Sequence, residues 1–226
     1  LEVGPGPGGL TRALLETGAG VVAIERDRRC IDALQALSAY YPAKLRIIEA
    51  DALGARERDF VDPPVIIASN LPYNISTELL VKWLRANHSD APALWARMAL
   101  MFQREVADRI VAAPGSKTYG RLSVIAQAAS RPKRAFDLPA RAFTPPPKVD
   151  SSVVAFEPAP RLESIAALER ITQAAFSQRR KMLRSSLRSA FGERTEWAPA
   201  ECGIAPTARA EDIPVDGFIS LAGLWF

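Results

Sequence analysis

The chain has little of what redox and metal chemistry require. Among 226 residues only Cys30 and Cys202 are cysteines and only His88 is a histidine. Two cysteines so far apart give neither a disulfide framework nor a metal-ligand spacing. One histidine leaves zinc hydrolase chemistry short of ligands, so no metal is expected. This usage fits a reducing compartment, and a cytoplasmic location is expected. No apolar run approaches the ~18 residues of a membrane span, so no membrane partner is expected. There is no signal peptide, and the first residue is Leu rather than Met. Leu1-Glu2-Val3 reads as the tail of a strand, so the chain is expected to be a fragment lacking an N-terminal segment.

Neither disorder nor strong charge dominates. Hydrophobic residues make up 48% and the net charge is +4, as in a globular protein with a modest pull toward anions. The length suits one domain or one and a half.

What is present centres on Asn70-Leu71-Pro72-Tyr73-Asn74-Ile75-Ser76. It follows an apolar run, Val65 to Ala68, that reads as a buried strand, and Pro72 fixes the turn beyond it. Asn70 and Tyr73 should therefore lie past the carboxyl end of a strand, where open α/β sheets bind ligands. The Asn70 carbonyl and the Leu71 backbone carbonyl can accept from an exocyclic amine, Pro72 has no N–H to compete, and Tyr73 offers a face for stacking. The set suits a planar base bearing an amine; the alternative is a turn with a buried Tyr.

Leu1 to Val3 leads into Gly4-Pro5-Gly6-Pro7-Gly8-Gly9, in which Gly4, Gly6 and Gly9 satisfy G-x-G-x-x-G. Thr11 to Thr17 reads as a helix and Val21 to Ile24 as a strand ending in Glu25, where an acid commonly binds ribose hydroxyls. The alternative is a Gly-rich turn beside a solvated Glu. Pro5 and Pro7 remove two of the backbone donors that a pyrophosphate needs, which favours S-adenosylmethionine over NAD. Arg28 to Tyr40 has helical spacing, and Leu45 to Ile48 is a third strand followed by Asp51 and Ala52. Asp51 either accepts from an adenine amine or caps a helix.

Ser76 or Thr77 starts a helix through about Ala86, Ala96 to Phe102 reads as a strand, and Gln103 to Ala113 as an amphipathic helix. His88 falls in a polar stretch, Asn87 to Asp90, read as a loop. Gly115 to Gly120 reads as a flexible polar loop, in which Lys117 and Tyr119 either touch RNA or lie on an ordinary surface. Between Arg97 and Lys148 ten basic residues face three acidic ones, which suits a nucleic-acid face. Phe143-Thr144-Pro145-Pro146-Pro147-Lys148-Val149-Asp150-Ser151-Ser152 is a stiff arm leading to a strand at Val153 to Phe156. It either holds Phe143 opposite Tyr73 to sandwich a flipped-out base or is a Pro-rich connector with a core Phe. After a linker at Pro158 to Pro160, Ile165 to Ala190 reads as one helix with six basic residues and no acid from Arg170 onward, suited to phosphates. Short helices follow, with caps at Pro206-Thr207 and Pro214-Val215.

The expected fold is α/β, a Rossmann-like sheet over residues 1–160 with a small all-helical domain over 161–226. Across nearly its whole length the chain resembles the bacterial small-subunit rRNA adenine dimethyltransferase family. The likeness rests on Leu-Glu-Val-Gly-Pro-Gly-x-Gly-x-Leu-Thr from Leu1, Glu25, Glu49 to Ala52, Asn70 to Ser76, Phe102 to Ala107, Phe143 to Ser152, Gln178 to Lys181 and Gly203 to Glu211. It implies methyl transfer from S-adenosylmethionine to two adjacent adenosines of the 3′-terminal hairpin of 16S rRNA, in the 30S subunit or its precursor. Gly4, Gly6, Glu25, Asp51, Ala52 and Asn70 are then expected at the cofactor. Asn70, Leu71, Pro72, Tyr73 and Phe143 are expected at the target base, and Lys148, Arg179, Arg180, Lys181 and Arg184 on RNA. A monomer is expected. Rival readings are a large-subunit rRNA adenine methyltransferase and a non-catalytic ribosome-assembly or transcription factor on the same fold. An NAD-dependent dehydrogenase lacks a plausible catalytic His or Tyr-Lys pair.

Overall fold

The structure is a computed structural model that describes residues 1–89, 92–178, 181–205 and 207–225. Apolar runs form the strands. β1 (Glu2–Val3), β2 (Val21–Glu25) and β3 (Leu45–Glu49) are parallel, with β2 in the middle. β4 (Val65–Asn70) runs parallel to β5 (Trp95–Gln103). β6 (Ser130–Leu138) and β7 (Ser151–Pro158) complete that group in the order β4-β5-β7-β6, β7 being antiparallel to both neighbours. The two groups adjoin along β1 and β4, where Ala68 N donates to Leu1 O at 3.0 Å and Ser69 Oγ to Val3 O. The parallel strands all end at one rim, and that rim carries the site.

The helices follow the expected apolar periods. α1 (Gly9–Glu16) buries Thr11 and Leu15. α2 (Arg28–Ser38) buries Ile31, Leu34 and Leu37, and its cap Asp27 accepts from Arg29 N at 3.0 Å. α3 (Ser76–Ser89) buries Leu79, Leu80, Trp83 and Leu84 against the sheet. α4 (Arg104–Ile110) follows β5 directly.

Several sequence expectations are corrected. His88 is in the last turn of α3, not a loop, and is buried. Its Nε2 donates to Ala129 O at 2.8 Å while its Nδ1 accepts from Leu162 N at 3.0 Å, so it is a core hydrogen-bonding residue. Tyr119 is also buried: its hydroxyl donates to Ile213 O at 2.9 Å and its ring packs edge-on to Phe176. An RNA contact through that ring is therefore ruled out. α5 (Arg121–Ala129) and β6 were not evident in the sequence. β6 carries Pro132 and four charged residues, which an edge strand tolerates because one side of its ladder is unpaired.

The expected long helix from Ile165 is broken. α6 (Ile165–Ser177) ends where Gln178 leaves helical geometry, and short α7 (Leu183–Ser186) and α8 (Arg188–Phe191) follow. Met182 is extended and bridges Arg209, and Leu183 N donates to Ala208 O at 2.8 Å. A neighbouring segment thus takes the hydrogen bonds that a continuous helix would have used. α9 (Trp197–Glu201) and α10 (Val215–Gly223) complete this part, α10 starting after Pro214 as expected. Pro206 lies outside the described residues. These helices share a second core with Tyr119, Val124 and Ala128. Leu162 packs against both cores.

Candidate cofactor and substrate site

The Gly-rich turn leaves β1 with Gly4 at φ 66° and Gly6 at φ 57°, a region that side chains with a Cβ rarely adopt. A Cβ on Gly4 would also sit 3.1 Å from the Pro72 ring. The first glycine thus lets the turn after β4 close onto the turn after β1. Gly6 N donates to Glu25 Oε2 at 3.1 Å, and Glu25 Oε1 accepts from Arg26 N and Asp27 N at 2.7 and 2.8 Å. Backbone donors therefore hold the Glu25 carboxylate in one orientation. A carboxylate accepts about four hydrogen bonds, so Glu25 keeps acceptor capacity for a ligand hydroxyl.

Gly4, Glu25, Asp51 and Ala52 line one cavity of about 420 Å³, closed on the α3 side by Pro72, Asn74 and Ile75. Asp51 lies at the cavity with both carboxylate oxygens engaged by the protein. Its Oδ1 accepts from Leu53 N at 3.0 Å, which caps a short turn, and its Oδ2 lies 3.5 Å from Arg26 at the cavity. Gly6 does not line the cavity; it braces Glu25.

A second, more open cavity of about 410 Å³ holds Asn70, Leu71, Pro72, Tyr73 and Phe143 together, with Met101 as its floor. The structure brings the Asn-Leu-Pro-Tyr turn and the Pro-rich arm to one place although they lie about 70 residues apart in sequence. Asn70 lines this cavity and not the first. It is exposed, and its amide makes no side-chain hydrogen bond to the described residues. The Leu71 side chain is buried. The Tyr73 hydroxyl and Ser151 Oγ are hydrogen-bonded at 2.8 Å, which ties the turn to the far end of the arm. Asp150 fixes the arm further: its Oδ1 accepts from Ala140 N at 3.0 Å and its carbonyl from Arg104 N at 2.9 Å. Gly4 and Pro72 line both cavities, so the two spaces abut there.

Sequence reasoning missed the braces. Lys82 of α3 donates to Ala52 O at 2.7 Å and to Ala55 O, and pairs with Glu57 at 2.8 Å; Glu57 also accepts from Trp83 Nε1. Ala52 is a wall of the first cavity. No pattern marks Lys82, because a lysine on a helix reads as solvated. Among the expected RNA contacts, Lys148, Lys181 and Arg184 are exposed, Arg184 lying 3.9 Å from Glu196. Arg179 and Arg180 lie outside the described residues. Burial raises the thiol pKa of Cys30 and of Cys202, so neither is an activated nucleophile. Among the described residues no group of three or more His, Cys, Asp or Glu could hold a metal.

Parallel strands with an antiparallel β7, a glycine turn after β1, acids after β2 and β3 and an Asn-Leu-Pro-Tyr turn after β4 define a Rossmann-like methyltransferase of the S-adenosylmethionine-dependent class. A family model described as ribosomal RNA adenine dimethylase matches residues 1–224. The chain belongs to that family. Similar proteins named Ribosomal RNA small subunit methyltransferase A include that of Xanthobacter autotrophicus, 54% identical over 98% of this chain and 77% of its own length. That of Phenylobacterium zucineum is 53% identical over 100% of this chain and 77% of its own. The fold is similar to a dimethyladenosine transferase from Plasmodium falciparum, with a TM-score of 0.78 at 24% identity, covering 97% of this chain and 86% of that one. It is also similar to the 23S rRNA methyltransferase ErmE, with a TM-score of 0.69 at 23% identity, covering 98% and 88%.

Proposed function

We propose that this protein is an rRNA adenine dimethyltransferase. It transfers methyl groups from S-adenosylmethionine to the exocyclic amines of two adjacent adenosines in the 3′-terminal hairpin of 16S rRNA. The observation that carries this reading is the meeting of two cavities at Gly4 and Pro72, one lined by Glu25, Asp27 and Asp51 and the other by Asn70, Tyr73 and Phe143. The names of the relatives support the small subunit over the large one.

The first cavity suits S-adenosylmethionine by its donor set. Glu25 accepts from ribose hydroxyls, Asp51 and the backbone near Ala52 meet the adenine, and Gly4 leaves room where a Cβ would stand. Pro5 and Pro7 withhold the N–H groups that a diphosphate would need. When bound, this cofactor supplies an electrophilic sulfonium methyl.

An adenine amine is a weak nucleophile because its lone pair is delocalised into the ring. Asn70 Oδ1 and the Leu71 carbonyl accept its two hydrogens, which favours a pyramidal nitrogen with its lone pair directed across the Gly4–Pro72 junction. Tyr73 stacks on the base, worth ~1–3 kcal/mol, with Phe143 on the other face. Positioning and electrostatics carry the step without a strong base. The methylated nitrogen loses a proton to water, so a single hydrogen remains, and the pocket must take a monomethyl amine for the second transfer.

On this reading residues 1–160 form the catalytic unit and 161–226 a helical unit that meets rRNA through Lys181, Arg184 and their neighbours, with Lys148 on the catalytic side. On the same reading the protein acts in the cytoplasm, as a monomer. The test is transfer from labelled S-adenosylmethionine to undermethylated small subunits. Wild type transfers. Asn70→Ala loses transfer while keeping the wild-type melting temperature, because Asn70 is exposed. Near-normal rates in Asn70→Ala would refute the mechanism.

A further inference from the structure

The sheet face beside the second cavity carries a feature that methyl transfer itself does not use. β6 pairs regularly with β7 from Ser130↔Pro158 to Arg134↔Val154, then resumes at Phe136↔Val153. Ala135 is thus an extra, bulged residue. Side chains alternate along a strand, so in regular register Phe136 would point the same way as Arg134, which is ion-paired with Asp108 of α4. The bulge reverses the alternation. It is held on both sides: Arg134 pairs inward with Asp108 and lies 3.9 Å from Asp137, and Asp137 accepts from Ser152 Oγ at 2.6 Å.

Phe136 consequently shares a face with its partner Val153, with Met101 opposite Val153 on β5, and with Asn70 opposite Met101 on β4. Asn70 and Met101 line the second cavity. A single row of side chains therefore runs from the target pocket to Phe136, three strand spacings or about 14 Å away. Phe136 is 54% exposed. The adjacent row holds only Ala68, Ala99 and Ala155 before it reaches exposed Lys133, and Arg97 and Arg131 are exposed one row further, against one acid, Glu157. Small residues leave a low track, basic residues border it, and an aromatic ring stands at its end.

We propose that Phe136 is a stacking platform for an unpaired base of the substrate RNA neighbouring the target adenosine, with Lys133 on the adjoining phosphate. This rests on the reading of the second cavity as the adenosine pocket. RNA is the occupant because the track is continuous with that pocket and its charge is complementary to a phosphate backbone. An aromatic face serves any base, since every base has a π-face.

The test compares wild type with Phe136→Ala, Phe136→Leu and Phe136→Trp in methyl transfer to undermethylated small subunits. Loss of one stack raises KM for the subunits about ten-fold in the Ala and Leu variants. The Trp variant stays close to wild type, and kcat and the S-adenosylmethionine affinity are unchanged in all three. Lys133→Ala lowers the salt dependence of binding by about one in slope. Wild-type KM in Phe136→Ala, with wild-type protein active, overturns this inference alone. A Leu variant equal to wild type overturns stacking, and a Trp variant as weak as Ala assigns the face to a protein contact instead. An inactive wild-type protein overturns the adenosine-pocket reading and this inference with it.

Discussion

Replacing Lys82 with methionine removes one ammonium and three of its bonds, to Ala52 O, Ala55 O and Glu57. Methionine keeps most of the stem, so the change is chiefly one of charge. Its partner Glu57 is left almost fully buried, with Trp83 Nε1 as a remaining donor. Breaking a buried pair by removing one partner costs ~3–5 kcal/mol. The Lys82 side chain is 26% exposed, so water compensates part of the loss, and about 3 kcal/mol is the expected cost. For a chain of this size that lowers Tm by about 6–12 °C. The effect is not confined to stability, because the released segment carries Asp51 and Ala52. If half of the lost energy appears as opening of that loop in the free protein, cofactor binding weakens about ten-fold. Thermal melting and equilibrium binding of S-adenosylmethionine read the two effects. Adding Glu57→Gln removes the unpaired buried charge while keeping an acceptor for Trp83, and recovers much of the Tm but not the affinity. A Lys82→Met protein that melts and binds cofactor like wild type would show that the network neither braces the loop nor stabilises α3.

Two further substitutions probe the turn after β1 and the second core. Gly4→Ala places a Cβ at φ 66° and 3.1 Å from Pro72; it costs ~1–2 kcal/mol for the left-handed backbone alone and separates the two cavities, so cofactor binding and methyl transfer fall together in the same titration. Tyr119→Phe leaves Ile213 O without its donor and destabilises by about 1–2 kcal/mol in denaturant unfolding, with transfer at saturating substrates unchanged. Burial pushes the Tyr119 phenol up to about 12 from its ordinary 10. Between those values the unfolded chain binds fewer protons at this group than the folded one, so stability falls as pH rises from 10 to 12. The Phe variant has a flatter alkaline unfolding curve, and equal slopes in the two proteins would contradict the burial argument.

The site was legible where a residue's chemistry and its place after a strand coincided. Glu25 and Asn70 end parallel strands and Asp51 follows one, and period and position alone bring them to one rim. Phe143 was legible because three prolines leave an arm few conformations. Residues whose role depends on distant packing were not legible. Tyr119 sits among Gly, Ser, Lys and Thr, which read as surface, and the helices that bury it come some 50 to 100 residues later. The break after Ser177 has no Gly or Pro to announce it, since residues 208–209 impose it by pairing with 182–183. The outward turn of Phe136 is hidden for a related reason: Ala135 has the composition of any strand residue, and only the pairing with β7 shows it to be extra.

A division of labour between walls and braces follows from the hydrogen bonds. The side chains of Glu25, Asp51, Asn70, Tyr73 and Phe143, assigned to the ligands, are exposed or only partly buried. The groups that fix these walls are polar contacts across long stretches of chain: Gly6 to Glu25, Lys82 to Ala52, Tyr73 to Ser151 and Arg104 to Asp150. A reaction that depends on placing a weak nucleophile loses rate steeply when its walls shift, so the braces matter to rate as well as to stability. The two classes separate experimentally. Removing a wall, as in Asn70→Ala, changes rate at constant Tm. Removing a brace, as in Lys82→Met, changes Tm and affinity together, because the same bond that holds the wall also closes the fold.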